Sequence, residues 1–224
     1  MINARAYQNL IQECKAKNVI LVAVSKTKPV EEILELYNLG HRDFGENYVQ
    51  ELIEKQAQLP KDIRWHFIGH LQTNKVKYIV PFMHLIQSAD SLKLLKEINK
   101  QSEKINRVTN CLLQIHIARE ETKFGLDEEE VNLIISEFVP REGGMKIKNV
   151  NVVGLMGMAS FTNNENQIRK EFYYLKSLQN KLATHNSQLT TLSMGMTADY
   201  KIAIEEGSNM IRVGSLIFGE RKAL

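Results

Sequence analysis

Apolar and polar positions along this chain follow two periodicities in turn. Runs of consecutive aliphatic residues, as at 19–24, are typical of strands buried on both faces, as in a parallel sheet. Between the runs, apolar residues recur every three or four positions, as at Val30, Ile33, Leu34 and Tyr37, which is the spacing of an amphipathic helix. The pattern therefore predicts an α/β protein in which strands and helices alternate.

Eight strand-like segments follow an opening helix at about residues 3–17. They lie at residues 21–24, 43–44, 65–68, 84–87, 108–117, 150–155, 190–193 and 210–213. Eight strands in alternation with helices predict a (β/α)8 TIM barrel, here with an extra N-terminal helix. Because no proline- or glycine-rich linker divides the chain, we expect a single domain over residues 1–224. A doubly wound open sheet is the alternative, since periodicity does not distinguish a closed barrel from an open edge.

Composition narrows the class of protein. Of the 224 residues 43% are hydrophobic and 25% charged, which is ordinary for a soluble globular protein. A net charge of +3, spread along the chain, does not favour a nucleic-acid surface. We find no signal-peptide pattern and no apolar stretch of bilayer-spanning length, and so expect a cytoplasmic protein without membrane contact. Cys14 and Cys111 show no metal-ligand spacing and are expected to be buried thiols.

A lysine stands at the end of the first predicted strand. Lys26 follows the aliphatic run, and Pro29 keeps the residue before it out of a helix, so the strand gives way to a loop here. The carboxyl ends of the strands are where α/β proteins keep their chemistry. Apolar neighbours and the charge of nearby Lys28 would lower the pKa of Lys26 and favour the neutral amine that attacks a carbonyl. The alternative is a surface lysine at a strand end.

Two glycine-bearing segments follow the last two predicted strands. In the first, Thr197 can cap the next helix while Gly195 lets the backbone approach a ligand closely. In the second, Gly214 and Ser215 offer backbone N–H groups and a hydroxyl to an anion. Each segment alone could be a tight turn. Because the loops after strands seven and eight form the recurrent phosphate site of these barrels, the two together favour a phosphate ligand.

Three further polar residues have two interpretations each. Arg212 lies in an apolar strand and needs either a structural ion pair or a ligand. His66 and His70 flank Gly69 and could be acid/base groups or metal ligands. No carboxylate or cysteine stands at metal-ligand spacing from them in the sequence, so we expect hydrogen-bonded structural histidines and no metal site.

Five segments of the chain resemble one known family in the expected order, and the resemblance covers nearly the whole sequence. They are VAVSKTKP at 22–29, FGENYVQE at 44–51, WHFIGHLQTNK at 65–75, LSMGM at 192–196 and RVGSLIFG at 212–219. The family is the pyridoxal 5′-phosphate (PLP) homeostasis proteins, also called proline synthase co-transcribed homologues. The resemblance implies a single barrel of the type found in the N-terminal domain of alanine racemase.

The resemblance also implies a set of cofactor-binding residues. They are Lys26, Asn47, Ser193, Thr197, Arg212, Gly214 and Ser215. Asn47 would lie beside the cofactor and Ser193 and Thr197 near its phosphate, while Gly214 and Ser215 would complete the phosphate cradle. Thr197 and Ser215 stand where serine and threonine are more usual in the family, and both keep the hydroxyl.

The other two residues would set the chemistry of the cofactor. Lys26 corresponds to the lysine that holds PLP as an internal aldimine. Arg212 would approach the pyridine nitrogen, and an arginine there keeps that nitrogen unprotonated, which weakens the ring as an electron sink.

Three functions are compatible with these residues. The first, favoured by the resemblance, is a non-catalytic protein that binds PLP and delivers it to the apo-forms of PLP enzymes. The second is a small amino-acid racemase using the same lysine. Racemases of this type take their second base from another domain, and the chain ends at Leu224 without one, which also favours a monomer. The third, a class I aldolase-like barrel, fits the lysine and the phosphate loops but not the family segments.

Overall fold

Eight parallel strands form the centre of the protein. The computed structural model describes residues 2–120, 124–137, 147–184 and 188–220. The strands are β1 Ile20–Val24, β2 Asp43–Glu46, β3 Arg64–Phe67, β4 Leu85–Ala89, β5 Thr109–Ile115, β6 Val150–Gly157, β7 Thr191–Ser193 and β8 Met210–Val213. They pair in chain order and β8 pairs back onto β1, so the sheet closes into a barrel. The (β/α)8 prediction is confirmed, and the open-sheet alternative is wrong.

Helices surround this barrel. Those described are α1 Ala4–Ala16, α2 Val30–Asn38, α3 Val49–Gln58, α4 Val76–Ile79, α5 Leu92–Glu103, α6 Glu128–Glu137, α7 Glu165–Ala183, α8 Tyr200–Glu205 and α9 Ser215–Phe218. The expected extra helix is α1, which precedes the first strand and is capped by the side chain of Asn3 accepting from the backbone of Ala6. Among the described residues, none of the helices is both long enough and apolar enough to cross a bilayer.

The alternation of side chains along each strand separates two cores. In β1, Leu21 and Ala23 belong to the large core between barrel and helices, whereas Val22 belongs to a small cluster inside the barrel. The other buried members of that inner cluster are Leu85, Leu112, Met156 and Met210. Two residues further along their strands, towards the carboxyl ends, the interior becomes polar at Gln87 and Arg212. The carboxyl ends of the strands therefore meet over a polar floor.

Both cysteines are buried, as expected. Burial raises the pKa of Cys14 to about 11 and raises the pKa of Cys111 further still. A thiol that does not ionise near neutral pH is a poor nucleophile and a poor metal ligand. Both cysteines are therefore part of the core.

Candidate functional site

A pocket of about 900 Å³ opens at the carboxyl ends of the strands. Its walls come from the carboxyl ends of β1, β2, β3, β6, β7 and β8 and the segments that follow them. Six of the residues predicted from the sequence line it: Lys26, Asn47, Thr197, Arg212, Gly214 and Ser215. The barrel thus brings together residues that are up to 189 positions apart in the chain (215 minus 26), because they lie at the carboxyl ends of four strands, β1, β2, β7 and β8.

Lys26 is half-buried in the turn that follows β1. Both neighbours of this lysine are fixed. The Ser25 hydroxyl donates to Glu46 Oε1 at 2.6 Å, and the Thr27 backbone N–H donates to Glu51 Oε1 at 2.5 Å. Thr27 has a φ of 64°, a left-handed conformation that is strained for a β-branched residue. Strain of this kind persists only where surrounding contacts enforce it, and here those contacts hold the turn that carries Lys26.

A buried lysine on α3 connects the contacts that hold this turn. Lys55 Nζ donates to the Ser25 carbonyl at 2.7 Å, to Glu46 Oε1 at 2.7 Å and to Glu51 Oε1 at 2.6 Å. Burial raises the pKa of Glu46, and Lys55 opposes that shift. All three donor positions of the ammonium are satisfied, so the charge is paired despite its burial. The cluster of Lys55, Glu46 and Glu51 therefore anchors the β1 turn to α3.

Two hydroxyls converge in the pocket wall formed by the loops after β7 and β8. Ser215 Oγ lies 3.2 Å from Thr197 Oγ1, although the two residues follow different strands. Gly195 makes the first loop possible, because its φ is 98° and a Cβ there would lie 2.6 Å from the Ala203 Cβ. Gly214 allows the second loop to pass β1 closely. Convergent hydroxyls at glycine-bearing loops are well suited to an oxyanion such as a phosphate.

Arg212 forms part of the pocket floor and is fully buried by its neighbours. Its Nη1 donates to Ser193 Oγ at 2.6 Å and its Nη2 to the Gly157 carbonyl at 3.0 Å. Burial lowers the pKa of Arg212 to about 10, with an opposing contribution from the charge of Asp199, so the guanidinium stays cationic at neutral pH. Arg212 therefore presents a fixed positive charge and N–H donors to the pocket.

Ser193 is the one predicted site residue that is not on the pocket surface. Its side chain is completely buried beneath the floor, where it accepts from Arg212 and donates to Gln87 Oε1 at 2.6 Å. The structure thus brings Ser193 to the arginine, while Thr197 and Ser215 form the hydroxyl pair. A sequence pattern predicts that a residue lies at a strand end, but not which neighbour its side chain meets.

Asn47 has a buried side-chain oxygen that could accept a hydrogen bond from a ligand. Its Oδ1 has no hydrogen-bond partner among the described residues, although the residue lines the pocket. The backbone at this point is held tightly against Gly69, where a Cβ would lie 2.4 Å from the Asn47 carbonyl oxygen. A buried amide oxygen without a partner costs free energy unless a ligand or water satisfies it.

The two histidines that flank Gly69 differ in their surroundings. His66 is buried with both ring nitrogens hydrogen-bonded, which confirms the expected structural histidine. His70 is exposed and pairs with Asp90 at 2.9 Å. The fold also brings Asp43 to within 3.1 Å of His66, so a carboxylate does lie beside it, contrary to the spacing argument.

His84 completes a group of three ligand-type side chains with Asp43 and His66, at the opposite end of the barrel from the pocket. Both carboxylate oxygens of Asp43 already accept from Arg64, at 2.7 Å and 2.5 Å. Burial alone would raise the pKa of Asp43, but hydrogen bonds from Arg64 and His66 hold it well below its usual range. A bound cation would have to displace the guanidinium.

Two parts of the pocket wall were not among the cofactor-binding residues predicted from the sequence. Lys28 lines the pocket, and its Nζ donates to the carbonyls of Phe218, Gly219 and Glu220 at 2.8, 3.2 and 3.3 Å. The segment after β6 contributes residues 158–163. Lys28 could have been anticipated, because it follows β1 in the same short loop as Lys26, at the carboxyl end of the barrel. The wall after β6 had no comparable signal.

Comparison with known proteins places the chain in a family. The model of the alanine racemase N-terminal domain family matches residues 3–222. A protein of Aquifex aeolicus (strain VF5) named pyridoxal phosphate homeostasis protein is 42% identical over 204 residues, which cover 90% of this chain and 87% of the relative. The chain belongs to the pyridoxal phosphate homeostasis protein family. The family resemblance identified in the five sequence segments is thereby confirmed.

Solved structures of this family and of a more distant one share the barrel. PipY of Synechococcus elongatus PCC7942, solved without PLP, has a TM-score of 0.88 at 32% identity and covers 96% of this chain and 99% of PipY. PipY with PLP bound has a TM-score of 0.79 at 33% identity, covering 90% and 93%. Alanine racemase of Clostridium difficile 630 has a TM-score of 0.74 at 15% identity and covers 99% of this chain but 57% of the racemase, which shows a shared fold alone.

Proposed function

We propose that this chain binds PLP covalently as a Schiff base on Lys26 and serves in intracellular PLP homeostasis and delivery, without catalysis of its own. The observation that carries the proposal is one pocket with the Lys26 amine, the Thr197–Ser215 hydroxyl pair and the Arg212 cation on its walls. The PipY structure with PLP bound and the name of the Aquifex relative support it.

The polar groups of the pocket fit this cofactor. PLP supplies an aldehyde that condenses with a primary amine, and Lys26 provides one in the pocket. The hydroxyls of Thr197 and Ser215, 3.2 Å apart, suit its phosphate. The buried Asn47 oxygen, which lacks a partner among the described residues, has a use once a ligand lies beside it.

Arg212 would determine whether the pyridine nitrogen of bound PLP carries a proton. A guanidinium only donates hydrogen bonds, so a pyridine nitrogen facing it would act as the acceptor and carry no proton. An unprotonated ring withdraws electrons weakly, which suits a protein that stores the cofactor rather than one that stabilises carbanions. This is the feature of the site that favours a carrier.

The pocket also offers little for racemisation, which needs a second acid/base group across the substrate carbon from the lysine. Among the described residues that line the pocket there is no histidine and no tyrosine, and of its two acids Asp199 accepts from the Met196 backbone at 2.6 Å while Glu165 lies at the start of α7. Lys28, the other amine, is occupied by three backbone carbonyls. These observations favour binding without turnover.

Delivery requires that a recipient can reach the cofactor. Phe161 lines the pocket and is 94% exposed, so the wall after β6 offers an apolar side chain at the rim. The recipients are the apo-forms of PLP-dependent enzymes, and the carrier acts as a cytoplasmic monomer.

The experiment compares absorbance spectra of the wild type, Lys26→Ala and Lys61→Ala, each purified, mixed with PLP and then treated with borohydride. Lys61 is an exposed lysine away from the pocket and serves as the matched control. We expect a band near the visible edge that borohydride fixes covalently in the wild type and the control but not in Lys26→Ala. The absence of such a band in the wild type would refute the cofactor assignment and leave the aldolase-like function to test with a sugar phosphate.

The carrier role is tested with the same proteins. We expect the PLP-loaded wild type to reactivate an apo-PLP enzyme and to interconvert no amino-acid enantiomers. Racemase turnover that Lys26→Ala abolishes would contradict the non-catalytic assignment while leaving PLP binding intact.

A further inference from the structure

A line of polar side chains crosses the interior of the barrel beside its apolar cluster. Barrel interiors of this fold are packed mainly with aliphatic residues, and here Val22, Leu85 and Leu112 conform to that pattern. His66 and Gln87 do not, yet they are at most 1% exposed. Buried polar groups persist where they are hydrogen-bonded, and these two are joined to the pocket floor.

Four hydrogen bonds connect Arg212 at the pocket to Asp43 at the opposite end of the barrel. Arg212 Nη1 lies 2.6 Å from Ser193 Oγ, which lies 2.6 Å from Gln87 Oε1. Gln87 Nε2 lies 3.0 Å from His66 Nδ1, and His66 Nε2 lies 3.1 Å from Asp43 Oδ1. We call these five residues the barrel chain.

The direction of every bond in the barrel chain follows from its arginine end. A guanidinium has no acceptor, so Ser193 Oγ accepts from it and must give its own hydrogen to the Gln87 carbonyl oxygen. The amide nitrogen of Gln87 then faces His66 Nδ1, which must accept. The ring proton of neutral His66 is therefore on Nε2, and it is donated to Asp43.

The far end of the barrel chain is fixed as a carboxylate. Arg64 donates to both oxygens of Asp43, and the pKa of that carboxyl lies well below its usual range because Arg64 and His66 outweigh its burial. All the bonds thus run from a cation at one end towards an anion at the other. In a low-dielectric interior such aligned bonds strengthen one another and hold their members in one arrangement.

We propose that Gln87 and His66 are positioning residues for the cofactor site, because they fix Ser193 as the acceptor that orients the Arg212 guanidinium towards the pocket. Neither residue lines the pocket, so their effect passes through Arg212 alone. The inference rests on the proposed function, in which Arg212 faces the pyridine nitrogen of PLP.

The first test needs no cofactor, and it uses a variant only to assign signals. The ¹⁵N NMR spectrum of wild-type protein labelled at histidine, with the His66 signals assigned by comparison with His66→Asn, reports which ring nitrogen carries the proton. The barrel chain requires the Nε2–H form. A neutral His66 protonated on Nδ1 would reverse the direction of the Gln87 amide and overturn the inference.

The second test removes the link in the middle. Gln87→Met keeps the length of the side chain without its hydrogen bonds, and Gln114→Met is the control, since Gln114 is equally a buried glutamine but bonds to the Phe124 carbonyl instead. We expect Gln87→Met to weaken PLP binding roughly tenfold, because Ser193 is then no longer held as the acceptor of the charged Arg212 guanidinium and about one hydrogen bond of that group is lost. The control Gln114→Met should bind PLP with a dissociation constant within about twofold of that of the wild type. Equal affinities for wild type and Gln87→Met would overturn the inference.

A conservative variant guards against a loss of folding. Gln87→Glu keeps an acceptor for Ser193 and places a second carboxylate oxygen against His66 Nδ1. We expect PLP affinity close to that of the wild type and a His66 ring that carries protons on both nitrogens in the ¹⁵N spectrum. A Gln87→Glu protein that binds PLP as weakly as Gln87→Met, with His66 unchanged, would contradict the proposed positioning.

Failure of the inference and failure of the proposed function give different results. A wild type that binds PLP reducibly on Lys26, while Gln87→Met matches it, overturns the positioning role alone. A wild type that binds no PLP overturns the proposed function and, with it, the role of the barrel chain at the cofactor.

Discussion

Two lysines share the pocket, and different contacts hold the segments around them. Lys28 uses its ammonium to join the backbone carbonyls of Phe218, Gly219 and Glu220 at the end of α9. Lys26 has the turn around it fixed by Ser25 and Thr27. We therefore propose covalent chemistry for Lys26 and a structural bond for Lys28, although both lie in one short segment.

A buried histidine outside the pocket, His41, makes the stability of the protein depend on pH. His41 is buried, its Nε2 donates to the Asp43 carbonyl at 2.8 Å, and burial lowers the pKa of His41 from 6.5 to about 4. Between these two pKa values, His41 is protonated in the unfolded chain but neutral in the folded protein. The free energy of unfolding therefore falls as the pH falls. At about 1.4 kcal/mol per pKa unit, this residue accounts for a loss of about 3 kcal/mol across that window.

Urea unfolding of wild type, His41→Asn and His70→Asn at several pH values between 7 and 4 measures this contribution. We expect the stability of His41→Asn to fall less steeply with pH than that of the wild type. The control His70→Asn, which changes an exposed histidine, should keep the wild-type slope. Parallel curves for wild type and His41→Asn would show that His41 titrates normally in the folded protein.

For single residues, the sequence predicts which ones lie in the site better than it predicts which neighbours their side chains contact. Position after an apolar strand favoured a pocket role for Lys26 without excluding a surface lysine, and Arg212 was assigned to the cofactor site by the family resemblance, because its position also allowed a structural ion pair. The partners of Ser193 and Asp43 could not be predicted, because they depend on how strands distant in the chain stand side by side in the closed barrel. Periodicity gives the face on which a side chain lies but not the neighbour it meets.

The β1 turn and helix α3 form one unit through a buried ion pair. Lys55 and Glu46 have 6% and 0% exposed side chains, and their bond is 2.7 Å long. Lys55→Met would leave the Glu46 carboxylate buried without its cation, which typically costs about 3 kcal/mol or more. We expect a loss of that size in the free energy of unfolding, measured in urea.

Two comparisons make this prediction specific. Lys61→Met changes an exposed lysine just beyond α3 and should leave stability nearly unchanged. Adding Glu46→Gln to Lys55→Met removes the buried carboxylate charge that has lost its cation. The double variant should therefore recover part of the lost free energy of unfolding. A double variant as unstable as the sum of the two single variants would mean that the pair does not interact.

Elements differed in how well the sequence predicted them. Strand β8 was predicted with the bounds that the structure gives, because three of its four residues are apolar, with Arg212 as the exception, and Gly214 ends it. Helix α9 was missed: Ser215–Phe218 has four residues, too few to show a helical period, and its first residues were interpreted as a phosphate-binding turn. Strand β5 was predicted to extend to residue 117 but ends at Ile115.

Closure of the barrel depends on a contact that no periodicity reveals. Gly154 in β6 passes so close to β7 that a Cβ would lie 1.8 Å from the Thr191 carbonyl oxygen. Gly154→Ala must therefore push two paired strands apart, and we expect a loss of about 3 kcal/mol in the free energy of unfolding.

Gly157→Ala in the same strand is the matched control. Its added Cβ would meet the ends of the Leu175 and Ile117 side chains, which can move, so the loss should be smaller. Equal losses for the two variants, measured by urea unfolding, would show that the approach of β6 to β7 is not the limiting contact. Alternation predicted the eight strands, whereas the pairing of β1 with β8 and this close approach belong to the assembled barrel.

The central claim is that one lysine of this barrel holds PLP. The most direct measurement is to mix the wild type with PLP, reduce it with borohydride, digest it and locate the added pyridoxyl mass by mass spectrometry. The account predicts the label on Lys26, with Lys28 unmodified because its ammonium is bound by the carbonyls of 218–220. A label on Lys28, or no labelled peptide at all, would contradict it.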